Sequence, residues 1–449
     1  MGELHIAFLI PPSFDATQDV ATWRISVRNA DGTVVTSADV PDGQPLRLDN
    51  LEPRAGVFVR LESFDGASVR LGVGRTVLLD LTPEAAEAEM YFAPPESLLE
   101  VSGNEAGRSF AAVLALSDSN VLIAGGVTGS ASDGANDTQL YDPRTNTVTD
   151  LPNLPVVQRW PAVFSPAPDV LVIAGGLNDS GAALDRTQVF KWNAATQTGA
   201  WTDGADLSEP RADAVAVALG DGRTLLVAGT SGGGFLASTD LFAWDGVAGT
   251  WTAGPVSNLA RASVVALPLG GGRALVAGGR NGGGALDNVQ IYLSDPVGGD
   301  TLAGAAGDTL RASRGSPGVL PLSATSWLIL GGVTGAGVPR NSTETLVWDE
   351  ALDRVDTADA ADLPSPRWGG GSGRLADGRR VFVGGSAGLA PYDVAGLDEV
   401  LLYEGGLLTD LGVDTGEATV TCTVVPLEDE TSLFVTDDDV LRYNPAVVP

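Results

Sequence analysis

The sequence predicts an all-β protein, a seven-bladed β-propeller preceded by a small β-sandwich, and three observations lead there. Short apolar runs closing on paired glycines recur along the chain; an arginine precedes and an aromatic follows each run; and turn dipeptides, not helix caps, separate the apolar segments. At 449 residues the chain exceeds one ordinary core, so a repeat array with an appendage is the natural organisation. The 58 glycines and 27 prolines are spread throughout, which suits many turns and no long helices.

Residues 1–90 carry no repeat. They show alternating runs such as Trp23-Arg24-Ile25-Ser26-Val27-Arg28 and Val57-Phe58-Val59-Arg60-Leu61, split by the turn pairs Asp31-Gly32, Asp42-Gly43 and Asp65-Gly66. Alternation of period two flanked by Asp-Gly predicts hairpins, and this region is expected to be a sandwich of immunoglobulin-like or transthyretin-like shape. The acidic stretch Pro83 to Glu89 reads as a linker or short helix.

Residues 91–449 hold the repeat. The apolar runs are Val121 to Gly126, Val170 to Gly176, Leu225 to Gly229, Ala274 to Gly279, Trp327 to Gly332 and Val381 to Gly385, roughly 50 to 53 residues apart. Arg108, Arg159, Arg211, Arg261, Arg314 and Arg367 precede them; Tyr141, Trp192, Trp244, Tyr292, Trp348 and Tyr403 follow. Each unit then supplies four strands, the fourth marked by Trp201 or Trp251 where it is clearest, and four antiparallel strands make a blade. Paired glycines let the backbone near a crowded hub adopt φ > 0 and approach its neighbour without a Cβ.

This pattern of arginine, Gly-Gly, aromatic-Asp and fourth-strand tryptophan resembles the kelch repeat, over roughly residues 96 to 445. The third unit departs from it with Ala228-Gly229, and the fourth to sixth lack the tryptophan. One further step of the register reaches a degenerate seventh unit at Thr436-Asp437, whose missing fourth strand is supplied by residues 96–101. Such a closure joins the chain ends and removes sheet edges; six blades is the alternative count.

Charge and residue types narrow the function. Against 57 acidic residues stand 26 basic ones, a net charge of −31, and Lys191 is the only lysine, so nucleic acid is excluded as a partner. Cys422 is the single cysteine and excludes an internal disulfide. No apolar run approaches the roughly 18 residues of a membrane span, and no signal peptide is visible in the chain. The expected setting is bacterial and extracellular, periplasmic or cell-surface, with the cytoplasm as the other choice.

His5 is the only histidine and lies outside the repeats, so histidine-based catalysis or metal binding is hard to build in the propeller. Some kelch propellers are copper radical oxidases that need histidine ligands and a cysteine cross-linked to tyrosine, and this chain lacks that set. Cys422 reads as a buried apolar residue. No cofactor is expected, with calcium at Asp437, Asp438 and Asp439, or near Asp133, Asn136 and Asp137, as the weak exception.

Strand direction locates the remaining candidate. In antiparallel blades the start of the innermost strand and the end of the second share one face near the axis. Ser109, Trp160, Ala212, Ala262, Gly315 and Trp368 should therefore ring a channel mouth with Val127, Leu177, Thr230, Arg280, Val333 and Ser386. Of these, Trp160, Trp368, Arg280, Ser109, Thr230 and Ser386 form the expected ligand surface, and the repeat arginines are expected to be structural. The function that follows is a non-catalytic module binding a glycan or protein there. A structural component of a surface layer or fibre, with self-association, is the second reading; a carboxylate-dependent carbohydrate enzyme is the third.

Overall fold

The computed structural model describes residues 4–48, 51–82, 86–101, 107–128, 133–389 and 396–446. Seven four-stranded antiparallel sheets follow one another along the chain after residue 97 and form a seven-bladed propeller. Among the described residues there is no helix, and hence none long and apolar enough to cross a membrane.

Each blade starts at the axis with a short strand: Ala112–Ala115, Ala162–Ala167, Val215–Ala218, Val265–Gly270, Gly318–Ser323, Gly371–Arg374 and Thr423–Pro426, here blades 1 to 7. The apolar runs form the second strands and are buried throughout, for example Val121–Ala124 and Val170–Ala174. They have sheet neighbours on both edges and blades on both faces, which is why they are uniformly apolar and do not alternate. Leu225, Val227, Ala274 and Val276 show the result, one core cluster shared between blades 3 and 4.

The ring closes as the spacing requires. The strand Ser97–Glu100 pairs with Val440–Asn444, from Asn444 opposite Ser97 to Leu441 opposite Glu100. It is the outer strand of blade 7, so the first and last segments of the propeller share one sheet.

The N-terminal strands are β1 (Leu4–Leu9), β2 (Thr22–Asn29), β3 (Val34–Pro41), β4 (Arg54–Phe64), β5 (Arg70–Arg75), β6 (Leu79–Leu81) and β7 (Ala86–Ala93). They join in one sheet of order β1-β7-β5-β4-β2-β3, with β6 also on β4 and β1 parallel to β7. Ile25 and Val27, with Val57, Val59 and Leu61, meet Met90 and Phe92 in the core, while Arg24, Ser26, Arg28, Arg60 and Glu62 take the opposite face. Asp31-Gly32 and Asp65-Gly66 turn between paired strands; Asp42-Gly43 instead leads out of the edge strand β3. The stretch expected as a linker or short helix is strand from Ala86 onward, because Met90 and Phe92 complete the core; residues 83–85 lie outside those described. This last strand of the sheet ends at Ala93.

Sheet and propeller meet at blade 7. Buried Asn444 donates its amide to the carbonyls of Val73 (3.0 Å) and Ala93 (2.8 Å). Arg442 lies 4.1 Å over the Tyr91 ring, pairs with Asp429 at 2.5 Å and donates to the Tyr141 hydroxyl of blade 1 at 3.0 Å.

Candidate functional site

The hub is built from arginines and glycines. Arg211, Arg261, Arg314 and Arg367 are almost wholly buried, and each donates to the carbonyl closing its own blade's second strand: Ala228 (3.3 Å), Gly278 (3.0 Å), Gly331 (2.6 Å) and Gly384 (3.0 Å). Arg108 does the same through Nε to Gly125 at 2.7 Å. The guanidinium also meets the polar side chain near the start of the third strand: Gln139, Asp240, Gln290, Glu344 or Glu399. Bonds to carbonyls and charge partners together offset the desolvation of a buried cation, even though Nε of Arg211 and of Arg314 keeps no hydrogen-bond partner. The next blade joins in, because the amides of Gly176, Gly229, Gly279, Gly332 and Gly385 donate to the carbonyls of Arg211, Arg261, Arg314, Arg367 and Thr419. At Gly331 (φ 56°) an added Cβ would stand 2.2 Å from the Arg367 oxygen, which is what the glycine is for. Ala228 takes the same left-handed turn at φ 64°.

Blade 2 departs from this in one residue. Gln158, not Arg159, fills the arginine's place: its amide donates to Gly175 O (2.6 Å) and Arg186 O (3.0 Å) and contacts Gln188. Arg159 moves one step toward the channel and bridges Leu177, as Ser109 bridges Val127, Ala212 bridges Thr230, Ala262 bridges Arg280, Gly315 bridges Val333 and Trp368 bridges Ser386. Assigning Arg159 to the structural set, and Trp160 to the first mouth position, was therefore off by one. The amide can replace the guanidinium because two carbonyls and a glutamine are all that need a donor there.

One residue further in lies a ring that the sequence pattern did not single out. Phe110, Trp160, Asp213, Ser263, Ser316 and Gly369 occupy the same place two residues before each inner strand, with φ between 46° and 67°. Thr421 holds that place in blade 7. Backbone bonds link the ring: Asp213 N to Trp160 O (3.2 Å), Ser316 N to Ser263 O (3.1 Å) and Gly369 N to Ser316 O (2.9 Å). Left-handed conformations in five non-glycine residues cost about 1–2 kcal/mol each and persist only where the surroundings enforce them.

Two carboxylates stand at this ring, Asp213 within it and Asp437 against its Thr421. Asp213 accepts a 2.5 Å hydrogen bond from the Ser263 hydroxyl and lies 3.6 Å from Arg280, whose Nε donates to Ser263 at 3.1 Å. Its side chain keeps 35% of its surface accessible, yet burial is the largest influence on it and lifts its pKa above the usual carboxylate range despite Ser263 and Arg280. A recessed channel wall explains both: solvent reaches the group while protein surrounds it. Asp437 accepts from the amides of Val420 (2.6 Å) and Thr421 (3.1 Å) and from the Thr421 hydroxyl (2.7 Å), and is likewise raised by burial.

The expected ligand residues fall into two groups. Arg280 and Trp160 stand beside Asp213, and Trp160 carries Arg159 at 5.6 Å from its ring. Ser109 reaches Asp437 on the other side of the ring. Trp368 is turned into the wall, packed with Val333 and Val420 and donating to Gly388 O at 3.0 Å, and Ser386 is fully buried beneath it. Thr230 is held by backbone bonds to Ala212. Asp213 and Ser263 escaped notice because the ring was drawn through the residue after each arginine, not the second one.

For metals, among the described residues no three His, Cys, Asp or Glu side chains gather to hold an ion. Asp437 spends its oxygens on Val420 and Thr421, Asp438 points to solvent, and the Asp133 side chain lies outside the described residues. His5 is on β1, and the Cys422 thiol, pushed up by burial, packs among Leu375, Val424 and Phe434.

No family model and no curated protein matches the chain. Among solved structures it is similar to a fungal alcohol oxidase with catalytic diversity among the AA5 family, in complex with copper: 17% identity, 78% of this chain and 76% of that chain covered, TM-score 0.59. At that identity the likeness is one of fold. It nonetheless corrects three expectations, since a propeller of this shape carries a copper enzyme. The non-catalytic reading, the expectation that the chain is not an enzyme, and the expectation of no cofactor all lose their footing in the fold. The residues here do not fit copper as described above, so no step is drawn through a metal.

Proposed function

We propose that this chain is an enzyme whose reaction centre is the channel mouth at Asp213, with a carbohydrate or similarly hydroxyl-rich small molecule as substrate. The observation that carries the reading is the Asp213 carboxylate: recessed, lifted above its ordinary range by burial, and held by Ser263 at 2.5 Å and Arg280 at 3.6 Å. Perturbed carboxylates in concave sites are the usual material of acid–base catalysis. Ser263 donates to Asp213, so the carboxylate is poised as the acceptor of a substrate hydroxyl's proton. Arg280 then stabilises the negative charge that develops, and Trp160 offers a ring face against which a sugar can stack. That the structural neighbour acts on alcohols supports the substrate class.

We propose further that the blades are of the kelch type, on the strength of the arginine-to-carbonyl bonds and paired glycines, and that the protein is exported by a bacterium. Recovery of the intact chain from the periplasm or medium of the source cell tests the second point.

The test of the main reading is turnover across a panel of sugars, glycosides and alcohols for the wild type and Asp213→Asn. As a base, Asp213 gives a rate that climbs with pH through a pKa above the ordinary carboxylate value of 3.8. Its amide variant should lose that limb and on the order of 10²–10⁴ in rate while remaining folded. Full turnover in Asp213→Asn would discard the assignment.

A further inference from the structure

We propose a second, independent site on the N-terminal sheet: a cleft that binds a sulfate or phosphate group. The cleft has a volume of about 430 Å³ and lies over β2 and β3, lined by Arg24, Ser26, Arg28, Ser37 and Asp39 with Val34 and Ala38 at its edge. Ser26 stands opposite both Ser37 and Arg60 in the ladder, so Arg60 belongs to the same face of the sheet. Arg70, on β5, completes the group by pairing with Glu62 at 2.9 Å.

Charge is out of balance here in the direction opposite to the rest of the chain. Among the described residues, Arg24, Arg28, Arg60 and Arg70 face two carboxylates, Asp39 and Glu62. Asp39 is taken by Arg24 at 2.7 Å, and a single Glu62 oxygen serves both Arg60 and Arg70 at 2.9 Å. Arg28 is left with a serine hydroxyl at 3.3 Å and the Gly32 carbonyl at 3.2 Å, and no acid. Arg60, a residue only 3% exposed, and Arg70 do not line the cleft, and each keeps a buried Nε without a hydrogen-bond partner on the same sheet. Burial, with the nearby charges of Arg28 and Arg70, weakens the Arg60 guanidinium's hold on its proton against the pull of Glu62.

The cleft itself offers Arg24 and Arg28, and an oxyanion suits them, since guanidinium forks bind sulfate and phosphate bidentately and the Ser26 and Ser37 hydroxyls can donate as well. The chain's net charge of −31 repels anions at a distance, so saturable anion binding would report this built site and not a general field. A cleft of this volume is large enough for the group to arrive on a sugar-sized molecule.

The experiment is isothermal titration of the full-length protein with inorganic phosphate, sodium sulfate, glucose 6-phosphate and neutral glucose. Saturable binding of the anions and not of glucose is expected, weakened about tenfold in Arg28→Gln, which removes one charge contact. Asp39→Asn frees Arg24 and should tighten binding about threefold, a change that damage to the fold cannot mimic. Glucose 6-phosphate binding tighter than phosphate identifies a group carried on a larger molecule; the reverse order identifies the free anion. Asp213→Asn should bind the anion normally whatever becomes of its turnover. No saturable heat up to about 10 mM ligand, or affinities that Arg28→Gln and Asp39→Asn both leave unchanged, would overturn the proposal.

Discussion

Blades 4 and 5 hold the same buried arginine in two electrostatic settings. Arg261 and Arg314 are each 1% exposed and bond backbone carbonyls: Gly278 (3.0 Å), Asn288 (3.3 Å) and Val276 (3.3 Å) for the first, Gly331 (2.6 Å) and Ser342 (2.8 Å) for the second. Their side-chain partner differs. Arg261 meets the neutral Gln290 at 2.5 Å, whereas Arg314 meets Glu344 at 2.7 Å, held by charge more than by an aligned hydrogen bond. Burial alone lowers the Arg261 guanidinium to about 10; in Arg314 burial lowers it and Glu344 resists. Both remain cations at neutral pH. The difference teaches that the hub selects arginine for its array of donors, and that a counter-charge is an option the blade can decline.

The largest effect separates the two at once. Arg314→Met leaves Glu344 buried and unpaired, and should cost about 3–5 kcal/mol in denaturant unfolding. Arg261→Met leaves no charge behind, only carbonyls and a glutamine that already engages Ser257 and Asn258, and should cost about 1–3 kcal/mol. Equal losses would mean that the carbonyl bonds carry all the energy and the charge none. The glycine beside the arginine gives the next contrast. Gly331→Ala puts a Cβ 2.2 Å from the Arg367 carbonyl at φ 56° and should cost about 3 kcal/mol, while Gly125→Ala, with nothing closer than 3.7 Å, should cost about 1 kcal/mol. Thermal unfolding midpoints of the two variants decide it.

The same logic explains what was legible in the sequence. Blade number, closure through residues 97–100 and the four-strand repeat could be read because apolar runs and glycines mark strands that are buried on every side. Arg159 misled because register was taken from residue type: where a glutamine meets the hub's need for donors, the arginine beside it takes the next position and bridges Leu177. Asp213 was hidden for a different reason. Among 57 acidic residues nothing in spacing distinguishes it, and only the left-handed turn before each inner strand, a property of φ and not of composition, brings it to the channel. Trp368 read as a ligand platform but packs into the wall, since one of its faces is needed to cover Val333 and Val420.

Supplying the missing charge in blade 4 sharpens the contrast from the other side. Gln290→Glu recreates the arrangement of blade 5 and should raise stability by about 1 kcal/mol, because Arg261 gains an ion pair while only the bond to Asn258 is lost. A loss of similar size would show that the amide's second bond outweighs the charge.

Asp213 is the mirror image of Arg261: a buried anion whose cationic partner is too far to offset desolvation, with Arg280 at 3.6 Å. Its folded pKa lies above the unfolded value of 3.8, so the folded state holds the proton more tightly than the unfolded chain does. The wild type therefore gains stability from this group as pH falls toward 3.8 and lacks that gain once the group is ionised in both states. Asp213→Asn, which imitates the protonated form, should be more stable than wild type near pH 7, with the difference closing as the solution is acidified. This is the smallest effect expected, since the side chain is partly solvated and screening reduces it. Unfolding midpoints of the two proteins taken at several pH values provide the measurement. If the asparagine variant is the less stable at neutral pH, Ser263 and Arg280 outweigh burial, and the carboxylate at the channel mouth is a structural ion pair with no proton to lend.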